Sequence, residues 1–165
     1  VHKDSSIDKF AELKGKTFVF VDPLSNSGKY YPTYLLQQMG ESAETFFKEY
    51  NYSYAHDTSI RAVAEEIVDA AAVDSLIWNY MEKNNSTVAK ATRIINVSLP
   101  YGIPPIVVRP GLKKDLKDKL KRILLDMHLD SRGKEILKKM GIEKFVEIGD
   151  SNYNSIREIR EYLGK

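Results

Sequence analysis

The chain has 165 residues, of which 42% are apolar and 29% charged, with 25 Lys and Arg against 23 Asp and Glu for a net charge of +2. Such a length suffices for one domain or two small lobes, and so slight a charge gives no reason to expect nucleic acid as a partner. No run approaches the roughly 20 apolar residues of a membrane span, no signal-peptide pattern opens the chain, and with no Cys there can be no disulfide, thiolate metal site or Cys nucleophile.

Val1-His2-Lys3 reads as the inside of a strand, so processing or excision from a longer chain is expected. Ile7 to Lys14 forms a short helical turn ended by Gly15. The apolar, β-rich run Thr17 to Val21 predicts a strand that stops at Asp22-Pro23. Ser25-Asn26-Ser27-Gly28 follows, and then a helix whose apolar positions are Tyr34, Leu35, Leu36 and Met39, stopped by Gly40. Ser42 to Tyr50 reads as a helical connector, Tyr52 to His56 as a short strand, and Asp57 opens a helix running to Ile67. Val68 to Val73 predicts a buried strand and Leu76 to Met81 a helix. Arg93 to Ser98 and Ile106 to Arg109 predict two further strands, separated by the helix-breaking Leu99 to Pro105. Beyond Pro110 the pattern is helical. Asp115 to His128 carries Leu116, Leu120, Ile123, Leu124 and Met127 on one stripe, with Lys117, Lys119 and Lys121 on a solvated opposite face. Ser131 to Met140 and Asn152 to Leu163 are the last two helices. Strands alternating with helices at this spacing predict an α/β layer with a mostly parallel sheet.

In such sheets ligands bind beyond the carboxyl ends of the strands, and three polar clusters fall there: Ser25-Asn26-Ser27-Gly28, His56-Asp57-Thr58 and Asp74-Ser75. Strand, polar turn and helix start build an anion site, because the first N–H groups of a helix lack partners and carry partial positive charge. Ser25 or Ser27 can equally cap the helix, and Asp74 can cap its own. His56 can donate to an oxyanion or serve structure. As a ligand group, Asp74 would accept from a P–OH or an ammonium. Other chemistries fit less well. Ser27-Gly28-Lys29 resembles the end of a P-loop, but Pro23 stands where that motif needs Gly and Tyr30 follows the Lys. No Gly-x-Ser-x-Gly occurs, and His2, His56 and His128 show no metal-ligand spacing. No metal or cofactor is expected.

Leu13-Lys-Gly-Lys-Thr-Phe-Val-Phe-Val-Asp-Pro-x-Ser-x-Ser-Gly28, Ala55-His-Asp57, Val68-Asp-Ala-Ala-Ala-Val-Asp74, Pro105-Ile-Val-Val-Arg-Pro110 and Tyr153-x-x-Ile-Arg157 together resemble the phosphate/phosphite/phosphonate-binding proteins of ABC transporters. The resemblance runs along nearly the whole chain. It implies a type II periplasmic-binding-protein fold, whose two α/β lobes close on a ligand. Ser25, Asn26, Ser27 and Gly28 would hold the phosphoryl oxygens, His56 would donate as well, and Asp74 would face the ligand's remaining group. Relatives that take aminoethylphosphonate carry an acid where this chain has Pro104, which argues against an amine-bearing ligand. They also carry a long stretch before the point matching Val1.

The expected architecture is therefore one complete ligand-binding lobe, residues 12–103, with hinge strands and a partial first lobe from residues 1–11 and 104–165. The expected function is non-catalytic capture of a small phosphorus oxyanion for import, with an ABC permease as partner and an extracytoplasmic location. An extracytoplasmic sensor domain is the alternative among binding proteins, and a phosphoryl-transfer enzyme is the alternative from another class. Self-association through the incomplete lobe is a further expectation.

Overall fold

The computed structural model describes all 165 residues, Val1–Lys165. Two units can be distinguished: residues 1–100 with 155–165, and residues 101–154. Residues 1–11 fall in the same unit as the sheet. Val1 and Arg93 hold each other through backbone bonds, and the Arg93 guanidinium donates to the carbonyls of Ser5 and Ile7, both at 2.7 Å.

The first unit is built on a parallel three-stranded sheet, ordered β2-β1-β3, with β1 (Thr17–Phe20) central, β2 (Glu49–Tyr52) on one side and β3 (Ala70–Ala71) on the other. Phe18 and Phe20 share one face of β1. They pack on Phe47, Tyr50 and Tyr52, the Phe18 and Phe47 rings stacking 4.4 Å apart. Val19 and Val21 are buried on the other face. A strand covered on both faces needs the continuous apolar run that Thr17 to Val21 provides. Around the sheet lie α1 (Tyr31–Gln38), α2 (Ala43–Phe46), α3 (His56–Ala64), α4 (Ser75–Lys83) and α5 (Thr87–Lys90). The fully buried Ser59 of α3 is satisfied by Ser53, their hydroxyls 2.6 Å apart.

The second unit contains α6 (Lys114–Asp126) and α7 (Ser131–Met140), joined by a 3-10 turn at Met127–Leu129. Gly133 lets α7 sit against that turn: a Cβ there would fall 2.0 Å from the Met127 carbonyl oxygen. Leu137 is buried, but the α6 stripe is not, with Leu116, Leu120 and Ile123 between 39% and 54% exposed. The last helix, α8 (Asn154–Tyr162), returns to the first unit, where Tyr162 meets Tyr34 edge to face at 5.0 Å.

Five strand expectations need correction. The second strand lies at Glu49–Tyr52 and not at Tyr52 to His56, because Tyr54 turns left-handed (φ 59) and ends it. The predicted helical connector is correspondingly cut to Ala43–Phe46. The strand within Val68 to Val73 is reduced to Ala70–Ala71. Arg93 to Ser98 and Ile106 to Arg109 form no strands, and of Val1 to Lys3 only His2 pairs, in a single antiparallel bridge with Thr92. β-rich composition cannot make a ladder where no neighbouring chain supplies partners, and Pro104, Pro105 and Pro110 remove donors around the second segment.

Candidate functional site

The Asn26–Tyr30 segment leaves β1 as a widened, π-helical turn, in which the Ser25 carbonyl accepts from both Lys29 N–H (3.1 Å) and Tyr30 N–H (3.0 Å). Such turns are uncommon and cluster at functional sites. Gly28 is required by packing, since a Cβ there would lie 2.5 Å from Val21 Cβ. Ser25 Oγ accepts from Gly28 N–H at 3.0 Å, so Ser25 does cap the turn, and that N–H is committed to it. The backbone N–H groups of Asn26 and Ser27 are the first two of the turn and have no acceptor within it, and the Ser27 hydroxyl makes no hydrogen bond in the chain. Asn26 Oδ1 is buried without a partner. An unpaired buried carbonyl costs about 1–3 kcal/mol, which marks a turn that is not shaped for stability alone.

His56 is the first residue of α3. Its Nδ1 accepts the Asp74 N–H at 3.0 Å, which joins the turn after β2 to the turn after β3, on either side of β1. An accepting Nδ1 carries no proton, so the neutral ring keeps its proton on Nε2, as a donor. Burial lowers the His56 pKa, against the pull of the Asp74 and Asp57 carboxylates. Asp74 caps α4, Oδ1 accepting from Leu76 N–H at 2.8 Å. Its second oxygen has no partner in the chain.

All six residues singled out in the sequence therefore lie at the carboxyl edge of one sheet, and a direct bond links His56 to Asp74. Two neighbours went unnoticed. Tyr54, two residues before His56, is 71% exposed in a left-handed backbone conformation that most side chains avoid. Lys29 lays its ammonium over Phe20, 3.7 Å from the ring centroid, with its pKa lowered by burial. A Tyr-Ser-Tyr-Ala-His run could have suggested the first; nothing local suggests the second. A cavity of about 320 Å3 lies at the opposite end of the strands, beside Lys16 and Asp69, and takes no part in this site.

No helix is long and apolar enough to cross a membrane. The family model described as the periplasmic substrate-binding protein of phosphonate ABC transporters matches residues 1–153. Among curated proteins, the chain is 26% identical to a probable ABC transporter phosphite-binding protein, PhnD1, of Prochlorococcus marinus, over 98% of this chain and 56% of that protein. It is 28% identical to the phosphonates-binding periplasmic protein of Escherichia coli, over 96% of this chain and 48% of that one. Among solved structures, PhnD1 in complex with methylphosphonate superposes with a TM-score of 0.82 at 25% identity, covering all of this chain and 63% of that one. A binding-protein component of a phosphonate ABC transporter from Pseudomonas aeruginosa gives 0.84 at 25% identity, covering 99% of this chain and 55% of that one. The chain thus spans about half the length of the curated relatives it matches. With its α/β parallel sheet and this match along residues 1–153, the chain belongs to the family of periplasmic phosphonate-binding proteins of ABC transporters.

Proposed function

We propose that the chain serves as the solute-binding component of an ABC importer, capturing a small phosphorus oxyanion (phosphate, phosphite or an alkylphosphonate) in the periplasm and delivering it to a permease. The observation that carries this reading is the turn after β1, where Asn26 N–H, Ser27 N–H and Ser27 Oγ have no acceptors of their own. Ser25 Oγ accepts from Gly28 and keeps its own proton for an oxyanion. Neutral His56 adds an Nε2–H. Gly28 contributes the close packing that holds the turn, its N–H being engaged. Charge-assisted hydrogen bonds of this kind contribute about 1.5–3 kcal/mol each, so three or four account for micromolar binding, about 8 kcal/mol.

Asp74 sets the selectivity. A carboxylate only accepts, so its free oxygen favours a ligand that still carries a P–OH or another donor, and sulfate, fully ionised, leaves it repelled. With Pro104 in place of an acid, aminoethylphosphonate finds no second carboxylate for its ammonium. Nothing in this arrangement activates a nucleophile, and transport without turnover is the role that fits. Competition calorimetry with phosphate, phosphite, methylphosphonate, aminoethylphosphonate and sulfate tests the reading. One of the first three should bind tightest; sulfate or aminoethylphosphonate binding tightest, or turnover of a generic phosphate ester, would overturn it. The exposed Leu116, Leu120 and Ile123 stripe supports self-association, for which light scattering should give a mass above that of one chain; a strict monomer would refute it.

A further inference from the structure

Lys29 is the one charged residue of the Asn26–Tyr30 turn. Its side chain folds back onto the sheet, with Nζ 3.7 Å from the Phe20 centroid and 5.3 Å and 5.4 Å from those of Tyr50 and Tyr52. Phe20 and Tyr52 are partners in register, and Tyr50 lies two residues back on the same face, so three rings of two strands converge on one ammonium. Aromatic faces attract a cation through their quadrupoles without cancelling its charge. None of the ion pairs in the chain involves Lys29. Glu44, whose field reaches it, accepts from the Tyr50 hydroxyl at 2.7 Å. The Lys29 backbone is tied on both sides: its N–H donates to the Ser25 carbonyl, and its carbonyl accepts from Thr33 Oγ1 at 2.7 Å.

We propose that Lys29, seated on Phe20, Tyr50 and Tyr52, is a positioning residue for the oxyanion site: it clamps the wide turn to the sheet and keeps a positive charge, engaged in no ion pair, on the turn that carries the free donors of Asn26 and Ser27, without touching the ligand. The inference rests on the oxyanion-binding role argued above. Lys29 belongs to the same short turn as Ser27, two residues along the chain, and charges act over about 10 Å in ordinary salt. Half-burial weakens that screening further. A neutral residue of the same length would keep the stem's packing and lose both the clamp and the field.

The test uses the 165-residue chain with methylphosphonate as probe, by calorimetry at low and high salt, together with amide hydrogen exchange of Gly28, Lys29 and Tyr30. Lys29→Met should bind about five- to tenfold more weakly, with a smaller salt dependence and faster exchange of those amides, while Lys29→Arg, which keeps charge and ring stacking, should stay within about twofold of wild type. Unchanged affinity and salt dependence in Lys29→Met would overturn the proposal, as would Lys29→Arg being as weak as Lys29→Met. If the unaltered chain binds none of methylphosphonate, phosphite or phosphate, the oxyanion role itself fails. The clamp is then judged on exchange alone, and unchanged protection in Lys29→Met overturns it.

Discussion

At the amino end of the sheet, Thr17 and Asp69 exchange three hydrogen bonds of 2.7–2.9 Å, which engage both N–H groups, the Thr17 hydroxyl and Asp69 Oδ2. At the carboxyl end of the same strands the N–H groups and a hydroxyl are left open: the Asn26 and Ser27 N–H groups, the Ser27 hydroxyl and the buried Asn26 Oδ1 have no partner in the chain. The backbone differs too, with a widened turn at Asn26–Tyr30 at the carboxyl end, while left-handed residues occur at both ends, Tyr54 at one and Gly15 and Glu66 at the other. Polar groups that serve the fold find partners inside it. Groups that wait for a ligand do not, and the structure carries their cost.

The largest effect that would sharpen this contrast is loss of the amino-end clamp. Asp69→Ala removes the acceptor of two Thr17 bonds and should destabilise the chain by about 1–2 kcal/mol, the partial exposure of the pair reducing its worth, while oxyanion affinity stays within about twofold. Denaturant unfolding and calorimetry on the same variant check both halves. A variant that lost affinity and kept stability would reverse the assignment of the two ends.

The clamp also shows what could be read from sequence. Thr17 to Val21 was legible because a strand buried on both faces needs an unbroken apolar run, and the end of Ser131–Met140 because a glycine, Gly141, stops it. The three polar clusters were legible because each follows a strand. Glu49–Tyr52 was not: its alternation is short, and its identity as a strand comes from pairing with β1 about thirty residues earlier in the chain. Arg93 to Ser98 and Ile106 to Arg109 failed for the converse reason, having strand composition without a strand to pair with. The Thr17–Asp69 exchange and the Lys29 seat both join residues that meet only once the sheet has formed.

A smaller effect is expected at Tyr54. Replacing it by Gly removes the penalty of a side chain in the left-handed region and should stabilise the chain by about 1 kcal/mol. A thermal melt that falls instead would mean that the Tyr52–Tyr54 ring contact, 6.2 Å between centroids, outweighs the strain. The smallest effect is a pH dependence at His56. Its pKa is lowered in the folded chain from 6.5, first by burial, so the folded state takes up its proton less readily than the unfolded one. The neutral ring therefore contributes stability that is complete above pH 6.5 and is lost as pH falls through the lowered value. Melts at neutral and mildly acid pH should show a steeper loss for the unaltered chain than for His56→Gln. Equal slopes would break the link between His56 and Asp74 N–H.

The most direct test of the central claim, that the open groups after β1 hold a phosphorus oxyanion, is titration of a Ser25→Ala/Ser27→Ala variant with methylphosphonate, with thermal unfolding measured on the same sample. Loss of two hydroxyl donors to a charged ligand predicts affinity reduced by well over tenfold, with a stability loss of about 1 kcal/mol traced to the Ser25 cap alone. Unchanged affinity in that variant would contradict the account, because the turn would then be no more than a capped helix start.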